Sequence, residues 1–220
     1  MERVTLKTER TTVKRVPKRG IYDKERICQI LDQGYLANIG FTIEGQTFVI
    51  PTLYGRLDDH LYIHGAASSR MLKSIVEQSI CFSVSLVNGI VLARSAFHHS
   101  MNYQSVSLLG QPVLVENLVE KELGLKIISD HLIPNRWEEV RGPNTKELKG
   151  TTVLKLLIEE GAAKVRTGHP KDEKQDYDLA VWAGQIPLKT IALEAIDDEL
   201  LRPNISVSPS VQNYIQNINS

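Results

Sequence analysis

The 220 residues are 42% hydrophobic and 24% charged, with 26 Lys+Arg set against 26 Asp+Glu. That is the balance of a globular protein with one large domain or two small ones. A net charge of +0 leaves no global field to recruit nucleic acid or an anionic membrane, and no apolar run nears the ~18 residues of a membrane span.

The first nineteen residues depart from this neutrality, with Lys7, Arg10, Lys14, Arg15, Lys18 and Arg19 against Glu2 and Glu9. They read as a solvated basic arm, the alternative being a tail that binds phosphate or nucleic acid; the arm lacks the apolar centre of a secretory signal. After Pro17 and Gly20, "DKERICQILDQG" has an Asp23 start and a Gly34 stop, with Ile27, Ile30 and Leu31 on one helical face. "YLANIGFTIEGQTFVIPTLYG" reads as a hairpin turned at Glu44-Gly45-Gln46, and "RLDDHLYIHG" adds a strand after an Asp58-Asp59 turn.

"SSRMLKSIVEQ" is a second helix, with Met71, Leu72, Ile75 and Val76 on one side. "SICFSVSLVNGIVLA" predicts two strands turned at Asn88-Gly89, a strong hairpin dipeptide. "NYQSVSLLGQPVLVEN" is a long strand bent near Gly110-Gln111-Pro112, because proline cannot sit in a central ladder. "LVEKELGLKIISDHL" has helical spacing through Val119, Leu123, Ile127 and Ile128, and "TTVLKLLIEEGAAKVRTG" is a strand bent at Gly161. Residues 170–175 form a charged loop, "YDLAVWAGQIPLKTI" returns to apolar character, and the last twenty residues read as a loose tail.

About six strands joined by tight turns, with a few helices and no internal repeat, predict a mainly β fold, a barrel with helical additions. The expected division is a basic arm over 1–19, a barrel domain over 20–190 and a C-terminal extension over 191–220. Only Cys28 and Cys81 are present, and Cys81 in "ICFSVSLV" reads as a buried thiol, which fits a reducing cytoplasm.

Two stretches carry chemistry. "HGAASSRMLKSI" runs from a strand end into a helix opened by Ser68 or Ser69, and its free N–H groups, hydroxyls and Arg70 would suit a phosphate. The same residues also read as an ordinary serine N-cap beside an exposed arginine. "ARSAFHHSMNYQSVS" places His98 beside His99. Neighbouring strand residues point to opposite faces, and no CxxC or HExxH pattern accompanies them, so no metal site is assigned. No nucleophile elbow supports a serine triad.

Taken together, "FVIPTLYGRLDDHLYIHGAASSRMLKSI", "GIVLARSAFHHSMNYQSVSLLGQP" and "AKVRTGHPKDEKQDYDLAVWAGQIPL" resemble the flavin-nucleotide-binding branch of the pyridoxamine 5′-phosphate oxidase-related proteins, which includes the nitroimidazole-resistance proteins. The resemblance spans roughly residues 20–190. It implies an FMN-binding split β-barrel, with FAD as the other flavin option, in a homodimer with flavin at the subunit interface. By motif, Pro51, Thr52 and Tyr54 lie beneath the isoalloxazine ring, and His64 and Gly65 end the next strand against it. Ser68, Ser69 and Arg70 hold the phosphate, Tyr103 and Ser105 approach the ring, and Arg166 and Trp182 close the site. His64 is the candidate catalytic residue.

One departure matters: the oxidases proper follow Ser-Arg with Lys, where this chain has Met71, and a second basic residue is absent around Leu53 to Gly55. Lys73 or Arg56 are the candidate replacements. The expected function is therefore an FMN-dependent oxidoreductase acting on a small molecule, nitroreductase-like, and not the vitamin B6 enzyme. The alternatives are a flavin-binding module without turnover, serving redox sensing or regulation, and a haem-binding split barrel with His98 or His99 as axial ligand.

Overall fold

The computed structural model describes residues 4–219. Its helices begin where side chains can satisfy free N–H groups. Helix α1 (Lys24–Leu31) starts at Asp23, whose carboxylate accepts from Arg26 N at 2.9 Å, and it buries Ile27, Ile30 and Leu31 completely. Helix α2 (Arg70–Ile75) starts at Ser69, and α3 (Leu118–Leu132) at Asn117. Helix α4 (Thr145–Gly150) has a full capping box between Asn144 and Glu147. No helix among the described residues is long and apolar enough to cross a membrane.

Among the described residues, ten strands pair antiparallel throughout: β1 (Gly20–Ile21), β2 (Leu36–Ile43), β3 (Gln46–Leu57), β4 (His60–Ala66), β5 (Ile80–Leu92), β6 (Ser100–Gly110), β7 (Val113–Leu114), β8 (Thr151–Leu157), β9 (Gly161–Arg166) and β10 (Gly184–Pro187). Their order is β1-β9-β6-β5-β2-β3-β4-β8-β7, with β10 added to β5. Strand β3 pairs with β2 through Leu53 and with β4 from Tyr54 onward. The chain leaves β8 at Leu157, bends through 158–160 and re-enters as β9 against β6. These two links fold the sheet around one core, giving the split β-barrel that the resemblance implies.

Alternation sets which side chains enter that core. Ala37, Ile39 and Phe41 of β2 point in while their neighbours face out, and Ile80, Phe82 and Val84 of β5 do the same. Tyr54 is buried at 1% exposure, its ring edge-on to Phe82 and its hydroxyl 2.5 Å from Leu31 O and 2.7 Å from Gly34 O. On the outer side, α3 covers a smaller cluster of Tyr62, Val115, Ile128 and Val153.

Five expectations are corrected. Asn88-Gly89 is not a turn but a bulge inside the continuous β5, with the register shift falling between Val87 and Gly89. The extra residue moves the inward positions from even numbers to odd, so Gly89 and Val91 are buried where Ile90 is exposed. A β-carbon on Gly89 would lie 2.9 Å from Ile186 O, so the glycine serves the close approach of β10.

The apolar face of α3 also differs: Val119 and Leu123 are 78% and 42% exposed, while Gly124 and Ile128 face the sheet. The basic arm is not a solvated leader, since Leu6 is 2% exposed in the core and exchanges backbone bonds with Tyr22 and Gly161. The end of the chain is not a loose tail, because residues 209–219 form helix α5 (Pro209–Asn219), anchored where Glu139 accepts from the Ser210 N–H and hydroxyl. Finally, Cys81 and Cys28 are half-buried free thiols.

Candidate functional sites on the barrel

The predicted site residues fall into two groups. The first lies on β3, β4 and the start of α2. Pro51 is exposed and Thr52 half-buried on β3, and His64 and Gly65 lie near the end of β4, which runs on to Ala66. Ser69 Oγ accepts from Leu72 N at 3.3 Å, Ser68 is exposed, and the exposed Arg70 guanidinium lies 5.9 Å from the Phe48 ring centre. Among the described residues, Arg70 has no carboxylate partner, so its charge is available to an anion. The tyrosine of this group is withdrawn: the Tyr54 side chain is sealed in the core and cannot meet a ring outside it. Arg56 is likewise spent, since its guanidinium binds both Asp32 oxygens and Asp58 O, so it replaces no missing phosphate cation.

His64 shares its sheet face with Tyr62 and points toward α3. It lines a pocket of about 480 Å³ with Leu53, Leu125, Ser129, Leu132 and Trp137. Its Nδ1 is buried without a hydrogen-bond partner, and burial pushes its pKa below that of an ordinary histidine. A neutral imidazole with a free polar atom can accept or donate one hydrogen bond to a ligand in that pocket.

The second group lies on β6 and β9, separated from the first in the strand order by β5 and β2. Tyr103 stands opposite Arg166, and Ser105 opposite Lys164, whose carbonyl accepts from Ser105 Oγ at 3.4 Å. Trp182 is 64% exposed just before β10. The pocket over His64 contains no residue of β6 or β9. Among the described residues of one chain, the His64 pocket therefore does not join the two groups.

A cleft of about 850 Å³ lies beside the second group. Its walls carry Arg15, Lys18, Arg19, Lys164, Arg166 and Lys171, three histidines at 98, 99 and 169, and no carboxylate. The segment bearing His98 and His99 is pinned by the fully buried Asp172 side chain, which accepts from Arg94 N, Ser95 N and the Arg94 guanidinium. Burial alone would raise the pKa of Asp172, but these donors hold it below the ordinary value.

Hydrogen-bond polarity fixes two of the three rings. Ala93 N–H donates to His99 Nδ1 at 3.0 Å, so Nε2 of neutral His99 carries the proton. Arg166 can only donate, so Asn102 Oδ1 accepts from it and Asn102 Nδ2 donates to Gln185 Oε1 at 2.6 Å. Gln185 Nε2 then donates to His169 Nδ1 at 3.2 Å, which leaves the proton of that neutral ring on Nε2. His98 has no such lock; its Nε2 is 3.7 Å from Glu173 Oε1, and its ring packs edge-on against the 89%-exposed Phe97. Arg166, only 8% exposed, keeps a buried Nε without a partner. The cleft is a donor-rich anion site with one histidine free to ligate.

Sequence reasoning placed Arg166 in a site but missed Asn102, His169 and Gln185, which lie within the quoted stretches but meet only through the pairing of β10 with β5. The charged runs "VKRVPKRG" and "RTGHPK" were the available signal for the cations.

Architecture and cleft together define a flavin-type split barrel with an added basic, histidine-bearing cavity. The pyridoxamine 5′-phosphate oxidase family model matches residues 23–165. The chain belongs to that family of flavin-binding barrels. It is similar to the flavocytochrome Anf3 from Azotobacter vinelandii, at 38% identity over 94% of this chain and 96% of that one, with a TM-score of 0.89. It is also similar to the FAD- and haem-binding protein from Mycobacterium smegmatis, at 30% identity over 89% and 96%, with a TM-score of 0.85. A candidate 5-nitroimidazole antibiotic resistance protein from Bacteroides thetaiotaomicron is 27% identical over 66% and 86%, with a TM-score of 0.55. No curated protein matches the sequence significantly.

Proposed function

We propose that this protein is a flavin-dependent oxidoreductase that also holds a haem, acting as a homodimer. The observation that carries the haem is the cation-only cleft. Arg15, Lys18, Arg19, His169 and Lys171 come from segments outside the family-matched residues 23–165. The two similar proteins described as a flavocytochrome and as FAD- and haem-binding extend over most of this chain, whereas the nitroimidazole-resistance protein covers 66% of it. The likeness to those two proteins thus extends over more of the chain than the family-matched residues, and this supports a haem here.

The residues fit both groups. The cleft has the size of a cofactor site, its cations suit carboxylates, and the unpartnered Arg166 Nε needs an acceptor. His98 is the axial candidate, because the Nε2 of His99 and of His169 already bears a proton. For the flavin, Ser69 and Arg70 would hold a phosphate, and His64 would meet the ring edge and relay a proton. With Met71 in place of lysine and Arg56 bound to Asp32, a lone phosphate finds Arg70 at this cradle and, three residues on, the exposed Lys73, without the lysine that directly follows Ser-Arg in the oxidases. That favours FAD, whose diphosphate and adenosine add contacts, over the FMN that the resemblance implies, and it disfavours pyridoxamine phosphate as substrate.

The bound cofactors supply the hydride and electron chemistry; the chain's residues orient them and set their protonation. Two copies are needed because the two groups of site residues lie apart in one chain. A dimer would bring one group against the other, and the exposed row Ile186, Ile90 and Met101, in register across β10, β5 and β6, offers an apolar contact for it.

The test is the cofactor content of the purified protein. Released flavin identified by mass as FAD, with haem at one per chain, is the expected result; neither cofactor retained after reconstitution would refute the reading. Arg70→Ala should weaken flavin binding roughly 10- to 100-fold, the loss of one charge-assisted contact. Unchanged affinity in a titration of the apoprotein would remove Arg70 from the site.

A further inference from the structure

Residues 188–208, between β10 and α5, form no helix or strand. They are nevertheless fastened at both ends. Asn219 brackets Ala192, accepting from its N–H at 2.9 Å and donating to its carbonyl at 2.8 Å. At the other end Arg136 donates to Ser208 Oγ at 2.7 Å, beside the bonds between Ser210 and Glu139. Between these anchors three large apolar side chains stand in solvent: Leu193, Ile196 and Leu200 are 77%, 96% and 90% exposed. Glu194, Asp197, Asp198 and Glu199 make no ion pair with any described residue, and Arg202 is the single cation of residues 193–207, leaving a net charge of −3 (four acids less one base).

Single exposed leucines are ordinary. Three large apolar side chains interleaved with four carboxylates on a strap tied at both ends make an amphipathic ribbon. The same chain carries its complement. The cleft has six cations and no carboxylate, and Phe97 at its edge is 89% exposed. No hydrogen bond or ion pair among the described residues joins the strap to the cleft within one chain.

We infer that the acidic strap of one copy docks across the basic cleft of a second copy. Ile196 and Leu200 cover apolar surface at the cleft edge, including Phe97, while Asp197, Asp198 and Glu199 face cations of the arm and of β9. The strap's midpoint is about eight residues from either anchor and can reach roughly 25 Å from it. The inference rests on the dimer proposed above. It gives the arm and the extension one joint role: closing each cofactor cleft with a segment of the partner. Six cations less two haem propionates leave four positive charges, close to what a strap of net −3 neutralises.

Zero-length carbodiimide cross-linking of the full-length protein tests this, with light scattering to give the mass in solution. The expected result is a covalent dimer whose linked peptides join residues 194–199 to Lys18, Lys164 or Lys171, and whose yield collapses in the Asp197→Asn/Asp198→Asn/Glu199→Gln variant. A dimer by scattering whose cross-linked yield is unchanged in that variant, or with such links only in the monomer band, overturns the strap and leaves the dimer standing. A monomer by scattering overturns both.

Discussion

At the scale of single residues, three histidines in one cleft are chemically distinct because different donors reach them. His99 and His169 each accept at Nδ1 and keep a proton on Nε2, whereas His98 makes neither commitment. The sequence shows the pair at 98 and 99 but not which ring is free, since Ala93 and the Asn102–Gln185 chain come into play only after folding. The same limit applies to Tyr54. Its motif position implies a flavin contact, but its fully buried ring and bound hydroxyl belong to the core.

His64 gives a pH prediction with a definite sign. Burial lowers its folded-state pKa, so the unfolded chain binds the proton more readily. Its contribution to stability is full above the unfolded value of about 6.5 and is lost as pH falls through the folded pKa. In the apoprotein, a His64→Phe variant should therefore lose less melting temperature between pH 7 and pH 5 than the parent does. Equal losses by calorimetry would mean that His64 stays solvated.

At the scale of elements, most strands and helices α1, α2 and α3 were legible because alternation and capping are local, whereas α5 was not. Two misreadings came from glycines whose meaning is set by a distant partner. Asn88-Gly89 has the composition of a hairpin turn, yet β10 approaches it closely enough to make it a bulge. Helix α3 turns Gly124 to the sheet because β3 presents Gly55 there. A β-carbon on Gly55 would lie 2.7 Å from the Ile127 backbone, and one on Gly124 would lie 2.9 Å from Tyr62 and Val153. Apolar periodicity does not count glycine, so it selected Val119 and Leu123, which stay in solvent.

Gly55→Ala should therefore push α3 off the sheet, at a cost of about 1–3 kcal/mol. A chain of this size shifts in Tm by roughly 2–4 °C per kcal/mol. The His64 pocket, whose wall includes Leu125, Ile128, Ser129 and Leu132 of α3, should weaken with it. A melting temperature within one degree of the parent, an order-of-magnitude bound on the same scale, would show that the helix has room to yield.

At the scale of the whole molecule, the barrel was legible from strand count, tight turns and three motifs in order, and the cleft was not. It is assembled from the arm, which lies outside the three motifs, and from the loop after β9 and the histidine pair, which lie inside them but to which the resemblance assigns no role. Their like charges look like separate solvated runs until the arm is tied to the barrel through Leu6 and through Arg10 and Thr8 on Glu160. A flavin barrel of the family's ordinary extent thus gains a second, cationic cavity from its additions.

The most direct test is the Soret absorption of the haem-reconstituted protein, compared between the parent, His98→Ala and His99→Ala. The account predicts a band in the parent that shifts or disappears in His98→Ala and persists in His99→Ala. A parent without a Soret band, or one whose band is indifferent to His98, would contradict it.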